Sequence, residues 1–330
     1  MTAYNTIKGL KVKYLSADRA NPEAGQVWYN SDTGNLRING VQGTGAWSSG
    51  GTMNQARDQF AGAGTKDDMI AVGGVNSGDK NNSEVYNGSS WTAVTVFPST
   101  VKKSGSTGDT TSAANFCGGD PGAKTSTQHW NGSGWTAGGS LSQGRANFQG
   151  SGPHTAGIAL CGQGSPNNTN CEKYNGTSWS AASSIPTAVQ IFGSICAGTS
   201  AAAIGAGGYY DLRPGGSEAQ TALTFSFDGS TWSNVNAMNT VRYQAQGGGT
   251  QGSAYVAGYA SGPTATTSEQ WDGTSWTAGA TMAISRNTGA SAAATGANAT
   301  VAGGNNASGT ILASSEEYTT PVGTQSITTS

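Results

Sequence analysis

Short apolar runs and polar turns alternate along this chain, and no helical spacing of apolar residues is sustained. A representative stretch is Glu84-Val85-Tyr86-Asn87-Gly88-Ser89-Ser90-Trp91-Thr92, with an aromatic on either side of an Asn-Gly step. Asn-Gly or Asp-Gly between two alternating runs is the strongest short-range hairpin signal, because a tight hairpin turn needs positive φ at its central residues. The same words return as Gln128-His129-Trp130-Asn131-Gly132-Ser133-Gly134-Trp135, Tyr174-Asn175-Gly176-Thr177-Ser178-Trp179, Phe227-Asp228-Gly229-Ser230-Thr231-Trp232 and Trp271-Asp272-Gly273-Thr274-Ser275-Trp276. Each predicts two antiparallel strands with an aromatic on each.

The spacing turns the motif into an architecture. Trp47, Trp91, Trp135, Trp179, Trp232 and Trp276 are separated by 44, 44, 44, 53 and 44 residues, and a period of about 40 to 50 means a propeller or a solenoid. The longer interval predicts an inserted loop at Tyr209-Tyr210-Asp211-Leu212-Arg213-Pro214-Gly215-Gly216. A second signature follows the tryptophans: Met53 to Arg57, Leu141 to Arg145, Met238 to Arg242 and Met282 to Arg286. Two copies carry Val101 and Val189 instead, with Phe97-Pro98 and Ile185-Pro186 before them. A third is a short apolar strand ending on glycine, as in Met69-Ile70-Ala71-Val72-Gly73-Gly74 and Thr300-Val301-Ala302-Gly303-Gly304. Together they predict four strands per repeat.

These three sub-motifs in fixed order resemble the kelch repeat, over about residues 47–320. The resemblance implies a six-bladed all-β propeller spanning 46–323, one four-stranded blade per repeat. A single twisted sheet cannot bury both faces, so blades pack on each other around an axis and the ring closes on itself. Tyr318 lacks a following tryptophan and Trp47 precedes any full repeat, so Ala46-Trp47-Ser48 is expected to supply the outer strand of the last blade. Seven blades, with a degenerate one from 26–47, is the alternative. Outside the propeller, 1–45 is expected to be a docking arm with a hairpin, from Val27-Trp28-Tyr29 to Leu36-Arg37-Ile38, and 324–330 a tail. Before it, Ile7 to Leu15 reads as an edge strand or a loose arm.

Composition narrows the function. Charged residues make up 10% of 330 and net charge is −2, so nothing marks a nucleic-acid partner. No apolar run reaches the roughly 18 residues of a membrane span, and Met1 to Asn5 lacks the plan of a signal peptide. Expression in a host cytoplasm without membrane insertion is expected. Cys117, Cys161, Cys171 and Cys196 lack metal-ligand spacing. Cys117 and Cys161 read as occupants of one small, buried repeat position; either all four are core thiols or Cys161 and Cys171 pair. No cofactor or metal is expected.

Candidate chemistry is sparse. His129 and His154 have no triad-like neighbours, and the two-histidine, two-tyrosine set that the resemblance to kelch-like copper-radical oxidases would require cannot be placed. Ser226 to Trp232 is similar to a sialidase Asp-box but lacks one residue between aspartate and glycine. No catalytic residue is assigned, and the chain is expected not to be an enzyme. Arg57, Arg145, Arg242 and Arg286 share one repeat position; they either line a mouth of the central channel, where they would hold carboxylates, or bond backbone carbonyls. Tyr243, Tyr255 and Tyr259 also break the repeat pattern, and Tyr209, Tyr210 and Asp211 form the expected recognition loop.

Gly25-Gln26-Val27-Trp28-Tyr29-Asn30-Ser31-Asp32-Thr33-Gly34-Asn35-Leu36 resembles a segment near the start of tailed-bacteriophage fibre and appendage proteins. With the kelch-like repeats, of a type found in marine phages, this implies a virion structural protein present in several copies or as a homo-oligomer. Val12, Tyr14, Trp28 and Tyr29 would dock it on other virion proteins of tail, neck or capsid, while the propeller binds host-surface glycan or a protein receptor. The alternatives are a decoration or assembly protein touching only virion partners, and a glycan-cleaving enzyme.

Overall fold

The computed structural model describes residues 12–19, 26–41, 45–163, 170–186, 195–210, 219–258 and 265–327. All of its regular structure is β, in four-stranded sheets plus one two-stranded ladder. The chain divides into two compact units, Ala46–Thr319 and a smaller one made of Met1–Gly45 with Thr320–Ser330.

Six of the four-stranded sheets lie in the larger unit. The first contains Ala61–Thr65, Asp68–Val72, Ser83–Tyr86 and Trp91–Val94, paired antiparallel in that order. The sixth contains Ala290–Thr295, Asn298–Ala302 and Ser315–Thr319, and its outer strand is Ala46–Ser49, from the other end of the sequence. Tyr318 stands opposite Trp47, their rings 5.1 Å apart. The strand expected to complete the last repeat does so.

The apolar cores lie between neighbouring sheets. Ala61, Ala63, Ile70 and Val72 of the first sheet pack on Phe116 and Trp130 of the second and on Phe97 of the connection between them, and its opposite face packs Met69, Tyr86 and Trp91 against Ala290, Ala292 and Ala302 of the sixth. Aromatics opening and closing each hairpin stack in pairs, such as Tyr86 on Trp91 at 4.9 Å, adding to their area burial.

The hairpin turn differs from the expected tight form. Tyr86 pairs with Trp91 across four residues, and in that turn only Gly88 takes positive φ, +85°. Asn87 instead accepts the Ser89 and Ser90 backbone N–H groups on Oδ1, at 3.1 and 2.9 Å. Asp228 does the same for Ser230 and Thr231. The Asx side chain therefore mimics a backbone turn, which is why Asn and Asp interchange here.

The smaller unit is a four-stranded sheet in the order Lys13–Leu15, Val27–Asn30, Asn35–Val41, Val322–Ile327. Two boundaries move accordingly. The unit change falls at 319/320 rather than 323, and residues 324–327 of the expected C-terminal tail belong to a strand antiparallel to Asn35–Val41, the rest of it lying outside the described residues. The edge strand expected within Ile7 to Leu15 is present as Lys13–Leu15, parallel to Val27–Asn30; its earlier part lies outside the described residues.

Candidate functional site

The four arginines line no mouth. Arg57, Arg145, Arg242 and Arg286 are at most 1% exposed, and each is paired with a glutamate: Glu84, Glu172, Glu269 and Glu316. Nη1 of Arg57 donates to the carbonyls of Gly73 and Asn82 at 3.2 and 2.8 Å, while Nη2 donates to Glu84 Oε1 at 3.1 Å. Arg286 repeats this on Gly303, Ser314 and Glu316. The second carboxylate oxygen takes a loop N–H, from Asn54 in the first case and Ala283 in the last. Burial pulls the Arg57 guanidinium down to about 10, against the raising pull of Glu84. These are internal clamps tying each entry loop to its own sheet, and the reading of arginine as a bonder of backbone carbonyls is the correct one. Where valine replaces arginine, the glutamate position holds Gln128 or Phe225, so both ends of the clamp change together.

His129 is equally structural. Its Nε2 meets the Tyr174 hydroxyl of the next sheet at 2.5 Å, and burial, then the charge of His154, lowers its affinity for a proton. The corresponding residue elsewhere is Glu317, bonded to the Tyr86 hydroxyl, or Gln270, bonded to that of Tyr318. Burial followed by the bond to Glu317 raises Tyr86 to about 12. Where Phe227 lacks a hydroxyl, Lys173 sits 5.9 Å from its ring centre. Each polar partner thus matches the aromatic of the adjoining sheet.

All four cysteines are buried and free of disulfides. Cys161 and Cys171 are hydrogen-bonded rather than bridged, and burial raises Cys117 to about 12. Cys117 and Cys161 do not share a repeat position, contrary to expectation. The Cys161 carbonyl takes the arginine bond that Gly73 takes in the first sheet, and its φ is +52°, so it replaces the first glycine of the pair. Among the described residues no group of three or more His, Cys, Asp or Glu is placed to hold a metal, and no helix is long and apolar enough to cross a membrane.

Two cavities occur where the first strands of the six sheets come together. The larger, about 300 Å³, is lined along those strands and just past their ends, among others by Gly62, Ser106, Asp109, Gly152, Thr199 and Thr250. The smaller, about 50 Å³, lies where the strands begin. Around it stand Gln59, Lys103, Asn147, Gln244 and Thr288, non-glycine residues with φ between +52° and +56°. Their backbones are linked in series: Lys103 N–H to Gln59 O at 2.7 Å, Asn147 to Lys103 at 2.8 Å, and Thr288 to Gln244 at 3.1 Å, with Gln59 N–H returning to Thr288 O at 2.7 Å.

Beside this mouth, the half-buried Tyr209 ring lies 4.9 Å from that of Tyr243, and Gln244 Nε2 donates to the Tyr243 hydroxyl at 3.1 Å. Tyr209–Tyr210 pairs with Ala219–Gln220 at the base of the insertion. Asp211 and the rest of the loop to 218 lie outside the described residues, as does the Tyr210 side chain. The expected recognition loop therefore contributes Tyr209 to a site whose other members, Tyr243 and the left-handed residues, come from entry loops.

Of the expected docking residues, Val12 and Tyr14 are exposed, Tyr14 at 76%. Tyr29 is half-buried beneath Tyr14, ring centres 4.9 Å apart. Trp28 is not a docking residue: it is 1% exposed, on the opposite face of its strand, and its indole donates to Asp18 Oδ1 at 3.2 Å. Asn30 and Arg37 also donate to that carboxylate, which they hold down at about 2, Arg37 most strongly.

No family profile and no curated protein sequence matches the chain. It is similar to the solved structure of YjhT. The TM-score is 0.65 at 15% identity, covering 83% of this chain and 99% of that one. At that identity the likeness shows the fold alone, an all-β, propeller-like architecture. It also overturns the expectation that the chain is no enzyme. That expectation rested on finding no catalytic constellation in the sequence, whereas the fold shared with YjhT is an architecture on which catalytic and binding sites are both built. The exclusion is withdrawn.

Proposed function

We propose that this chain is a structural appendage protein of a tailed-bacteriophage particle, a six-bladed, circularly closed kelch-type propeller whose loop-bearing mouth binds a host-surface glycan or protein. The six sheets, the pairing of Ala46–Ser49 with Ser315–Thr319, and the hydrogen bond from Gln59 back to Thr288 support six blades and closure. The segment resembling phage appendage proteins belongs to a separate compact unit that presents Val12 and Tyr14, which suits docking on other virion proteins.

The observation that carries the binding reading is the Tyr209–Tyr243 pair beside a mouth ringed by polar side chains. Aromatic rings next to amides and hydroxyls provide both the flat apolar surface and the directional bonds that sugars and peptides need. Copies on one particle would add avidity to weak individual contacts. The test is binding of the labelled full chain to cells that the particle infects. Wild type is expected to bind and Tyr209→Ala/Tyr243→Ala to lose at least tenfold with unchanged melting temperature. Equal binding by both would defeat this reading and favour a decoration protein. Docking is tested separately: Val12→Ser/Tyr14→Ser is expected to be absent from purified particles while still binding cells.

A further inference from the structure

The left-handed residues around the smaller cavity are an anomaly with a chemical explanation. The chain has 52 glycines and uses glycine at most of its positive-φ positions. At this one repeat position it uses none among the described residues, although a side chain in the left-handed region costs free energy that glycine would not. Among the described repeats the identities run glutamine, lysine, asparagine, glutamine and threonine. A strained position kept in every described repeat, yet filled by four polar residue types at five positions and never by glycine, indicates that the side chains are needed and that they are needed for what they contact outside the fold.

Two further buried polar groups lie at or beside the same cavity. Ser104 lines the small cavity, is 8% exposed, and its hydroxyl has no hydrogen-bond partner. Gln246 is 2% exposed with neither amide atom bonded, and its Nε2 lies 2.9 Å from where a Cβ on the cavity-lining Gly289 would stand. Buried polar groups are rarely left so, because each costs its full desolvation when unpaired.

We propose that this mouth binds an uncharged sugar residue, seated across the ring of left-handed side chains and against Tyr243, with a hydroxymethyl arm entering the neck to meet Ser104 and Gln246. This rests on the reading of the loop-bearing mouth as the binding face. Primary amides both donate and accept, as vicinal hydroxyls do, and they dominate the lining through Gln59, Asn147, Gln149 and Gln244. The charges nearby balance: Lys102 is paired with Asp79 at 2.8 Å, and the charge of Lys103 acts on Asp58. A neck of about 50 Å³ admits a hydroxymethyl group but not a whole ring.

The experiment is an array of neutral and acidic glycans probed with the full chain, followed by titration of the best ligand in 50 mM and 500 mM salt. Neutral glycans are expected to bind, with affinity changing less than twofold between the two salts, since screening weakens charge pairing and leaves hydroxyl–amide bonds alone. Asn147→Leu and Gln246→Leu should each lower affinity at least tenfold with unchanged melting temperature, and Lys103→Met less than threefold. Binding confined to acidic glycans, or a tenfold loss in high salt, overturns the proposal. So does an array with no glycan bound; if cell binding still depends on Tyr209 and Tyr243 in that case, the receptor is a protein and the wider reading stands.

Discussion

The arginine position and the left-handed position lie two residues apart in each repeat, as Arg57 and Gln59 or Arg286 and Thr288, and they follow opposite rules. At the first, residues repeat in kind, are buried, and change only when the facing glutamate changes too. At the second, the backbone repeats and the side chains vary while remaining half-buried. Sequence repetition in an array marks what every module must do for itself. Variation at a geometrically fixed site marks what the assembly does together.

The largest effect expected from testing this contrast is at the clamp. Arg145→Met strands the buried Glu172 carboxylate, and breaking such a pair from one side costs about 3–5 kcal/mol, readable as a lower urea midpoint. The double substitution Arg145→Val/Glu172→Phe copies the fourth repeat, which has Val189 and Phe225, and should recover at least half of the loss. No recovery would mean that the clamp is not a self-contained unit.

The mouth should respond in the reverse sense. Lys103→Gly or Asn147→Gly relieves a left-handed side chain, so stability should hold or rise by less than about 1 kcal/mol in the same urea titration. A loss of more than about 1 kcal/mol would move these residues into the structural class.

The hairpin turn gives the smallest effect and tests the boundary between the classes, because Asn87, Asn131 and Asn175 alternate with Asp228 and Asp272 in one role. Backbone N–H bonds from Thr231 and Ser230 hold Asp228 well below its ordinary range, and those from Ser275 and Thr274 lower Asp272. A depressed folded value means stabilisation that is present above the unfolded value near 4 and lost as pH falls through the folded one. Asp228→Asn/Asp272→Asn should therefore lower the melting temperature slightly at pH 7 and flatten its decline between about pH 4 and 2. Equal slopes in both proteins would remove the charge from the account.

Much of the fold was legible because it repeats. The 44-residue spacing of the tryptophans located the sheets, and the unmatched Trp47 and Tyr318 located the strand pair joining the ends of the array. The role of arginine was also within reach: Glu84, Glu172, Glu269 and Glu316 occur only in repeats with arginine, and that covariation inside one chain names the partner. The mouth was not legible. Gln59, Lys103, Asn147, Gln244 and Thr288 are polar but follow no fixed residue type, and their common left-handed φ goes with backbone hydrogen bonds to neighbouring repeats, which no local pattern reveals. Trp28 was misplaced for a related reason: its partner Asp18 stands ten residues before it, outside the hairpin, so an aromatic in an isolated hairpin looked free.

The pairing of Asn35–Val41 with Val322–Ile327 bears on how the molecule would take mechanical load. Leu36 meets Ile327 at the rung nearest the two chain ends, and Val41 meets Val322 at the rung farthest from them. Force that drew residues 45 and 320 apart would enter at the Val41–Val322 rung and part this ladder like a zipper, one rung after another, so the ladder backs up the strand pair that joins the ends of the array.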